Sequence, residues 1–317
     1  LLVSLKHSLG AKDEVRRALA ELDSDPPEPK GLARTVTKNV VFAEVDGVKL
    51  KLDVTMPSGP VPTAGSGERR PALIQVHGGG WVIGDKREQG LPFIKRMAGD
   101  GWVCFNVNYR LSPKVHFPTH LQDVKRAIAW VRAHAEEYGI DPEFIAVTGG
   151  SAGGHLSALA GLTANDPRLQ PGFEDDDTSV QSAVPFYGIY DFTDRNRTWH
   201  PGAIERFLEP VVMNCKEADD PETWALASPL DQISPHAPPF LVIHGDKDTL
   251  ASVEGARIFS NALREVSHET VLYLELKGAQ HAFEIFPSVR ANAVLDGAAH
   301  FLHAMHGRHL DRQAEFT

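Results

Sequence analysis

A single serine flanked by glycines interrupts an apolar stretch near the middle of the chain, in the sequence Gly149-Gly-Ser-Ala-Gly-Gly154. A strand-forming run precedes the glycines and a helix-forming run follows them, so Ser151 is predicted on a tight strand-to-helix turn that suits a nucleophile. The turn also places Ser151 at a helix N-terminus, where unpaired N–H groups favour a nearby anion. A glycine-rich turn with a capping serine is the alternative, and the motif alone does not decide between them.

Glycines also follow an earlier apolar run, in the sequence His77-Gly-Gly-Gly-Trp81. Without side chains, the backbone N–H groups of such a loop can approach a ligand, and two or more of them aimed at one point stabilise a developing oxyanion. We predict an oxyanion hole formed by the N–H groups of Gly79, Gly80 and Ala152, the residue after the serine. A flexible loop is the alternative interpretation.

Two later apolar runs end in residues that would complete a catalytic triad. Asp246 and Asp248 follow the run Phe240–Ile243, and either carboxylate could orient an imidazole or simply form a turn. His281 follows the last run on a glycine-containing loop, which distinguishes it from the other histidines. The order Ser151, aspartate, histidine is that of an α/β-hydrolase. In this mechanism the histidine removes the serine proton during attack on a carbonyl, and water then hydrolyses the acyl-enzyme.

The elements that must position these residues are short apolar runs alternating with helix-forming stretches. This alternation predicts a parallel sheet covered by helices, with ligands bound beyond the carboxyl ends of the strands. Alternating residues on both sides of Asp46-Gly47 predict an antiparallel hairpin at the sheet edge. The predicted class is α/β, with a mostly parallel eight-stranded sheet. The predicted strands are Val40–Glu44, Val48–Val54, Ala72–Val76, Val103–Val107, Phe144–Val147, Ser182–Phe186, Phe240–Ile243 and Val271–Leu276, and the predicted helices are Leu91–Ala98, His120–Tyr138, Ala152–Leu162, Val253–Val266 and Val289–Met305.

The domain organisation follows from two segments that lack this alternation. Residues 193–235 are predicted to form a cap inserted into the catalytic domain, which comprises residues 37–192 and 236–317. The proline-interrupted N-terminal arm, residues 1–36, is predicted to form part of the same cap. Three aromatic residues of the insertion either line an acyl pocket or form the core of the cap: Trp199, Phe207 and Trp224.

Composition restricts the partners. The 317 residues are 42% apolar and 23% charged, as in ordinary globular enzymes, and the net charge of −10 argues against nucleic acid. The two cysteines, Cys104 and Cys215, are predicted to be free thiols. No apolar run is long enough to span a membrane. We expect a cytoplasmic location, although the start at Leu1 leaves an upstream signal or anchor open, as it does membrane association. A homodimer is compatible with the sequence.

Four histidines near the C-terminus recur every third residue and could present metal ligands on one helix face. They have no accompanying carboxylates or cysteines, and Gly307 is expected to interrupt the helix, so we predict a solvated face and no metal. The acidic segment Glu174–Asp177 is similarly predicted to be a solvated turn. The four histidines are His300, His303, His306 and His309.

Taken jointly, the motifs resemble those of hormone-sensitive-lipase-like carboxylesterases of the α/β-hydrolase fold, over Ala72–Phe283. This resemblance implies a serine carboxylesterase that acts on short- to medium-chain esters, with a helical cap and without a cofactor. The motifs that carry it are His77-Gly-Gly-Gly-Trp81, Asn108-Tyr-Arg-Leu-Ser-Pro113, Phe117-Pro118, Gly149-Gly-Ser-Ala-Gly-Gly154, His244-Gly-Asp-Lys-Asp248 and Gly278-Ala-Gln-His281.

The resemblance also assigns individual roles. It implies that Asp248, the second aspartate of its motif, is the triad acid, that His77 shapes the oxyanion loop, and that Arg110 forms an internal salt bridge. Trp81 and Tyr187 are predicted to bind substrate.

The chain departs from the family pattern at two places. Asn108 stands where many members have aspartate, and the loop Trp81–Lys86 is similar to feruloyl-esterase-like and arylformamidase-like relatives. Hydrolysis of such substrates by the same triad is therefore the alternative function. A non-catalytic receptor, similar to the gibberellin receptor, is disfavoured because all three triad residues are present.

Overall fold

The computed structural model describes residues 2–22, 24–63, 69–199 and 207–315. Eight strands form one sheet in the order β1-β2-β4-β3-β5-β6-β7-β8. The β1–β2 and β2–β4 pairs are antiparallel and the remaining pairs are parallel. The predicted α/β class with a mostly parallel eight-stranded sheet is confirmed. The strands are β1 (Arg34–Val45), β2 (Val48–Pro57), β3 (Arg70–Val76), β4 (Val103–Val107), β5 (Ile140–Gly150), β6 (Ser182–Phe186), β7 (Phe240–Gly245) and β8 (Val271–Leu276).

The hairpin at one edge of the sheet turns at Asp46-Gly47, as predicted. Asp46 and Gly47 have φ values of 51° and 75°, the left-handed pair that a tight two-residue hairpin requires. Of the two hairpin strands, β1 forms this edge and β2 lies inside it, because β2 also pairs with β4.

Helices cover both faces of the sheet. The predicted helix over residues 120–138 is divided at His134, whose Nδ1 lies 2.8 Å from the carbonyl of Trp130 and whose ring stacks on the Trp130 indole. The bounds of α7 match the prediction, since the Ser252 side chain caps its first turn. The helices are α1 (Leu2–Ala18), α2 (Leu91–Gly99), α3 (Thr119–Ala133), α4 (Ala135–Tyr138), α5 (Ala152–Leu162), α6 (Pro221–Ala227), α7 (Val253–Val266) and α8 (Val289–Glu315).

The C-terminal helix corrects one prediction. Helix α8 runs without interruption through Gly307 to Glu315. A glycine inside a helix costs only about 1 kcal/mol relative to alanine, and the packing of α8 on the sheet offsets that cost. The interruption expected at Gly307 is therefore wrong.

The N-terminal helix packs mainly against α8 and β8. A Cβ atom on Gly297 of α8 would lie 2.5 Å from the Cγ1 atom of Val15, so glycine at this position permits the close approach of the two helices. Leu19 and Leu22, which follow α1, are buried in the same apolar cluster as the inner face of α8. Membership of residues 1–36 in a cap stays a prediction.

The insertion is described on both sides of its centre, and residues 200–206 lie outside the described residues. Its second part contains a wide helical turn, Leu208–Met213, followed by α6. Trp224 is buried and donates from Nε1 to the carbonyl of Cys215 at 3.2 Å. Both cysteines are free, as predicted. No helix in the described ranges is long and apolar enough to cross a membrane.

Candidate active site

Ser151 lies on a strained turn between β5 and α5. Its backbone has φ 59° and ψ −119°, a conformation that costs a residue with a side chain about 1–3 kcal/mol. The Ser151 N–H donates to the carbonyl of Phe186 at the end of β6 (3.0 Å), and the Ser151 carbonyl accepts from His155 in α5 (2.9 Å). These two bonds hold the turn in place at the carboxyl edge of the sheet.

The glycines around Ser151 are required by close backbone packing. A Cβ atom would lie 2.5 Å from the carbonyl oxygen of Val76 if it were placed on Gly149, and 2.1 Å from the same oxygen if it were placed on Gly153. A Cβ atom on Gly154 would lie 2.4 Å from the oxygen of Phe186. The turn therefore packs directly on the ends of β3 and β6, which leaves no room for side chains.

His281 is oriented by Asp248. The His281 Nδ1 atom lies 2.7 Å from Asp248 Oδ2, and Asp248 Oδ1 accepts the N–H groups of Leu250 and Ala251 at 2.9 Å each. His244 Nε2 lies 3.2 Å from the same Oδ2 atom. Burial would raise the pKa of Asp248, but the hydrogen bonds from His244 and His281 outweigh it and lower the pKa. Asp248 is therefore an ionised, fixed partner for the imidazole.

The other candidate acid, Asp246, has a different task. Its Oδ1 atom accepts the N–H group of Gly278 at 2.5 Å, and Lys247 Nζ lies 3.6 Å from its Oδ2 atom. Asp246 therefore joins the loop after β7 to the loop after β8. The structure brings Asp248, and not Asp246, to His281.

The oxyanion loop depends on two glycines in the left-handed region, Gly79 (φ 109°) and Gly80 (φ 58°). The Gly79 carbonyl accepts the N–H groups of Val82 and Ile83 at 3.1 Å, and a Cβ atom on Gly79 would lie 2.1 Å from the Ile83 oxygen. Within the described part of the chain, the N–H groups of Gly79 and Gly80 donate no hydrogen bond. Both are therefore available to a ligand.

His77 anchors the start of this loop. Its ring stacks on Tyr109 with ring centroids 4.4 Å apart, and its Nδ1 atom lies 2.8 Å from the Gly78 carbonyl. Burial lowers the pKa of His77 and keeps it neutral. The expected internal salt bridge is also present, because Arg110 makes a bidentate contact with the buried Asp123 at 2.9 and 2.8 Å.

Five of the candidate site residues line one cleft of about 460 Å³ at the carboxyl ends of the strands: Gly79, Gly80, Ser151, Tyr187 and His281. A serine, an imidazole oriented by a carboxylate and two glycines with available N–H groups thus line the same space, which is the arrangement that acyl transfer requires. The cleft lining is mostly apolar. It also includes Phe207.

Trp81 is not part of this lining, which corrects its predicted role in substrate binding. The indole is fully buried, and its Nε1 atom donates to His155 Nδ1 at 3.2 Å. The ring also packs edge-on against Phe192. Trp81 has a φ of 60°, which directs its side chain into the core while the glycines before it face the cleft. His155 Nε2 in turn donates to the carbonyl of Ala227 at 2.7 Å, so Trp81 joins the oxyanion loop to α5 and α6.

Tyr187 does line the cleft, and it has a partner that sequence reasoning missed. Its ring lies against the His281 ring with centroids 4.6 Å apart, and its hydroxyl donates to the carboxyl group of Glu284. The two partners are distant in the sequence and belong to no shared motif, so no sequence signal indicated the pair.

The histidines of α8 lie away from the cleft and form no metal centre among the described residues. The predicted solvated face is wrong, because three of the rings pack against aromatic residues and His300 Nε2 lies 2.9 Å from the carbonyl oxygen of Ser24. The His306 ring centroid lies 4.9 Å from that of Phe144, and the His303 ring meets Trp102 edge-on at 5.6 Å. His309 Nε2 lies 3.1 Å from Asp141 Oδ2.

Several of the known proteins that are similar to this chain are esterases. The BD-FAE family profile matches residues 53–263. Esterase LipQ of Mycobacterium tuberculosis is 47% identical over 78% of this chain and 59% of its own length. Esterase LipC of the same organism is 47% identical over 74% of this chain and 59% of its own length. The chain thus spans only about three fifths of these curated relatives.

A similar solved structure is also that of an esterase. Esterase 2 of Thermogutta terrifontis, with propionate bound, superimposes with a TM-score of 0.68 at 29% identity, over 87% of this chain and 95% of its own. The same esterase phosphonylated by sarin gives a TM-score of 0.70 at 27% identity, with the same coverage. Together with the profile match, these likenesses show that the chain belongs to the BD-FAE family and is an α/β-hydrolase of the hormone-sensitive-lipase-like group.

Proposed function

We propose that this protein is a serine carboxylesterase that hydrolyses short- to medium-chain esters through an acyl-enzyme intermediate. The observation that carries this proposal is the 2.7 Å contact between Asp248 and His281, in the cleft that also contains Ser151 on its strained turn. The esterase relatives support the same reaction type.

Each residue has a defined step in this mechanism. Because Asp248 holds Nδ1 of His281, the Nε2 atom is left to accept the Ser151 proton as Oγ attacks the ester carbonyl carbon. The N–H groups of Gly79, Gly80 and Ala152 stabilise the oxyanion. His281 then delivers the proton to the leaving alcohol, and water repeats the cycle on the acyl group. The lowered pKa of Asp248 keeps its carboxylate charged at neutral pH.

We propose that the preferred ester substrates have acyl chains of about two to eight carbons, because a small cleft limits the length of chain that it can hold. The cleft measures about 460 Å³, and the Thermogutta terrifontis esterase is known with propionate and with butyrate bound. We also propose that residues 193–235 form a cap, since Phe207 lines the cleft. A cytoplasmic location stays a prediction.

The test is a chain-length panel of p-nitrophenyl esters, run beside N-formylkynurenine, for the wild type and Ser151→Ala. We expect the highest kcat/KM between acetate and octanoate and no turnover above background by the variant. Faster hydrolysis of emulsified long-chain triglyceride than of butyrate would contradict the chain-length assignment. A higher kcat/KM on the formamide than on every ester would identify the amide alternative instead.

A further inference from the structure

The loop that carries His281 has no helix or strand of its own between β8 and α8. Ala282, the next residue, has a φ of 58°, so the backbone beside the imidazole is strained. The bond to Asp248 restrains the ring at one nitrogen. Tyr187 makes a second contact, on the ring itself, which further restrains its plane.

Tyr187 is wedged between the nucleophile turn and His281. Its N–H group donates to the carbonyl of Ile243 at 2.7 Å, which fixes its backbone at the end of β6. A Cβ atom on Gly150 would lie 2.6 Å from the Tyr187 hydroxyl oxygen, so the phenol lies directly on the residue before Ser151. Its ring centroid lies 4.6 Å from that of His281, and the two ring planes are tilted by 58°.

Glu284 holds the phenol in this position. It comes three residues after His281 on the same loop, and its Oε1 atom accepts the Tyr187 hydroxyl. His281 and Glu284 are thus connected in two ways. They lie on the same loop, and Tyr187 contacts both side chains. A movement of the loop that carries Glu284 away from Tyr187 breaks this hydrogen bond.

Glu284 is buried, which is unusual for a glutamate that has no structural or functional role. The side chain is 9% exposed, and its Oε2 atom has no hydrogen-bond partner among the described residues. Glu284 lines a cavity of about 20 Å³ together with Gln75, Gln89, Gly149 and Gly150. Desolvation raises the pKa of Glu284, and the hydrogen bond from Tyr187 opposes that rise. A carboxyl group in such a place destabilises the fold unless it is compensated.

We propose that Glu284 is a positioning residue that holds Tyr187 against His281 and so sets the plane of the imidazole that serves Ser151. This inference rests on the proposed esterase function. Glu284 does not touch the reacting atoms in this scheme, and it acts only through Tyr187.

The test compares Glu284→Ala, Glu284→Gln, Tyr187→Phe and the double variant Tyr187→Phe/Glu284→Ala, with p-nitrophenyl butyrate as substrate. A displaced imidazole lowers the chemical step, so we expect Glu284→Ala and Tyr187→Phe each to lower kcat by about 10- to 100-fold and to change KM by less than about twofold. The double variant should lose no more than the worse single variant, because both remove one hydrogen bond. Glu284→Gln, whose amide oxygen still accepts from the phenol, should restore kcat to within about threefold.

The chain offers a matched control in a second tyrosine–glutamate pair. Tyr273 donates to Glu275 Oε2 at 2.8 Å on β8, where neither side chain lines the cleft. Tyr273→Phe removes the same kind of bond and should leave kcat unchanged.

A second readout separates this inference from the esterase proposal. The Nδ1 proton of His281, hydrogen-bonded to Asp248, should give a low-field NMR resonance that is absent in His281→Ala. In folded Glu284→Ala we expect this resonance to broaden through faster exchange with solvent, whether or not the wild type hydrolyses esters. An unchanged resonance, a wild-type kcat in Glu284→Ala, or losses that multiply in the double variant would each overturn the inference.

Discussion

Two regions of the molecule contain the same residue types and use them in opposite ways. At the carboxyl edge of the sheet, His281 is held by a carboxylate and Gly153 lies against a neighbouring backbone. On α8, His306 packs among aromatic rings, and a Cβ atom on Gly307 would meet nothing within 4 Å. The difference teaches that surroundings, and not residue type or periodicity, determine which histidines and glycines have a specific task.

The largest expected difference in kcat is between variants of His281 and His306. His281→Ala removes the proposed general base, and comparable losses in serine hydrolases predict a fall in kcat of about a millionfold. His306→Ala should change kcat by less than about threefold, because its ring contacts Trp102 and Phe144 and lies outside the cleft lining. Steady-state kinetics on p-nitrophenyl butyrate measure both. Comparable losses in the two variants would remove the distinction between the regions.

The next largest effect separates the two aspartates within the active region. Asp248→Asn leaves the shape of the site but removes the charge that fixes the His281 tautomer, and it should lower kcat by about 10⁴-fold. Asp246→Asn loses part of a contact to the Gly278 N–H group and should cost less than about tenfold. If kcat/KM falls equally in both variants, Asp248 is not the triad acid.

The smallest expected effects are on the free energy of unfolding of Gly153 and Gly307 variants, which urea unfolding measures. Gly153→Ala would force a Cβ atom to within 2.1 Å of the Val76 oxygen and should destabilise the fold by about 3 kcal/mol. Gly307→Ala adds a methyl group in open space on a helix and should stabilise it by about 0.5–1 kcal/mol. A destabilised Gly307→Ala would show that α8 needs its glycine after all.

The sequence predicts the structure correctly where residues that are close in the chain determine it. The predicted bounds of β4, β6 and β8 match the structure, since short apolar runs between turn residues can hardly form anything but buried strands. The turn at Ser151 is equally predictable, because the strand-forming run, the glycines and the helix-forming run that define it are adjacent in the sequence.

Sequence reasoning failed where long-range packing decides. Trp81 follows the oxyanion glycines, but its backbone turns the indole into the core to meet His155, a contact across 74 residues of sequence. The bond between Tyr187 and Glu284 spans 97 residues and matches no periodic pattern. The spacing of the α8 histidines likewise does not indicate which side of the helix meets the sheet, so the predicted solvated face is wrong.

The central claim is that Ser151 is the nucleophile. Its most direct test is to treat the protein with a fluorophosphonate probe and to map the modified peptide by mass spectrometry, with Ser151→Ala as the control. The account predicts one adduct, on Ser151, complete loss of esterase activity in the labelled protein, and no adduct in the variant. An adduct on another residue, or full activity after Ser151 is labelled, would contradict it.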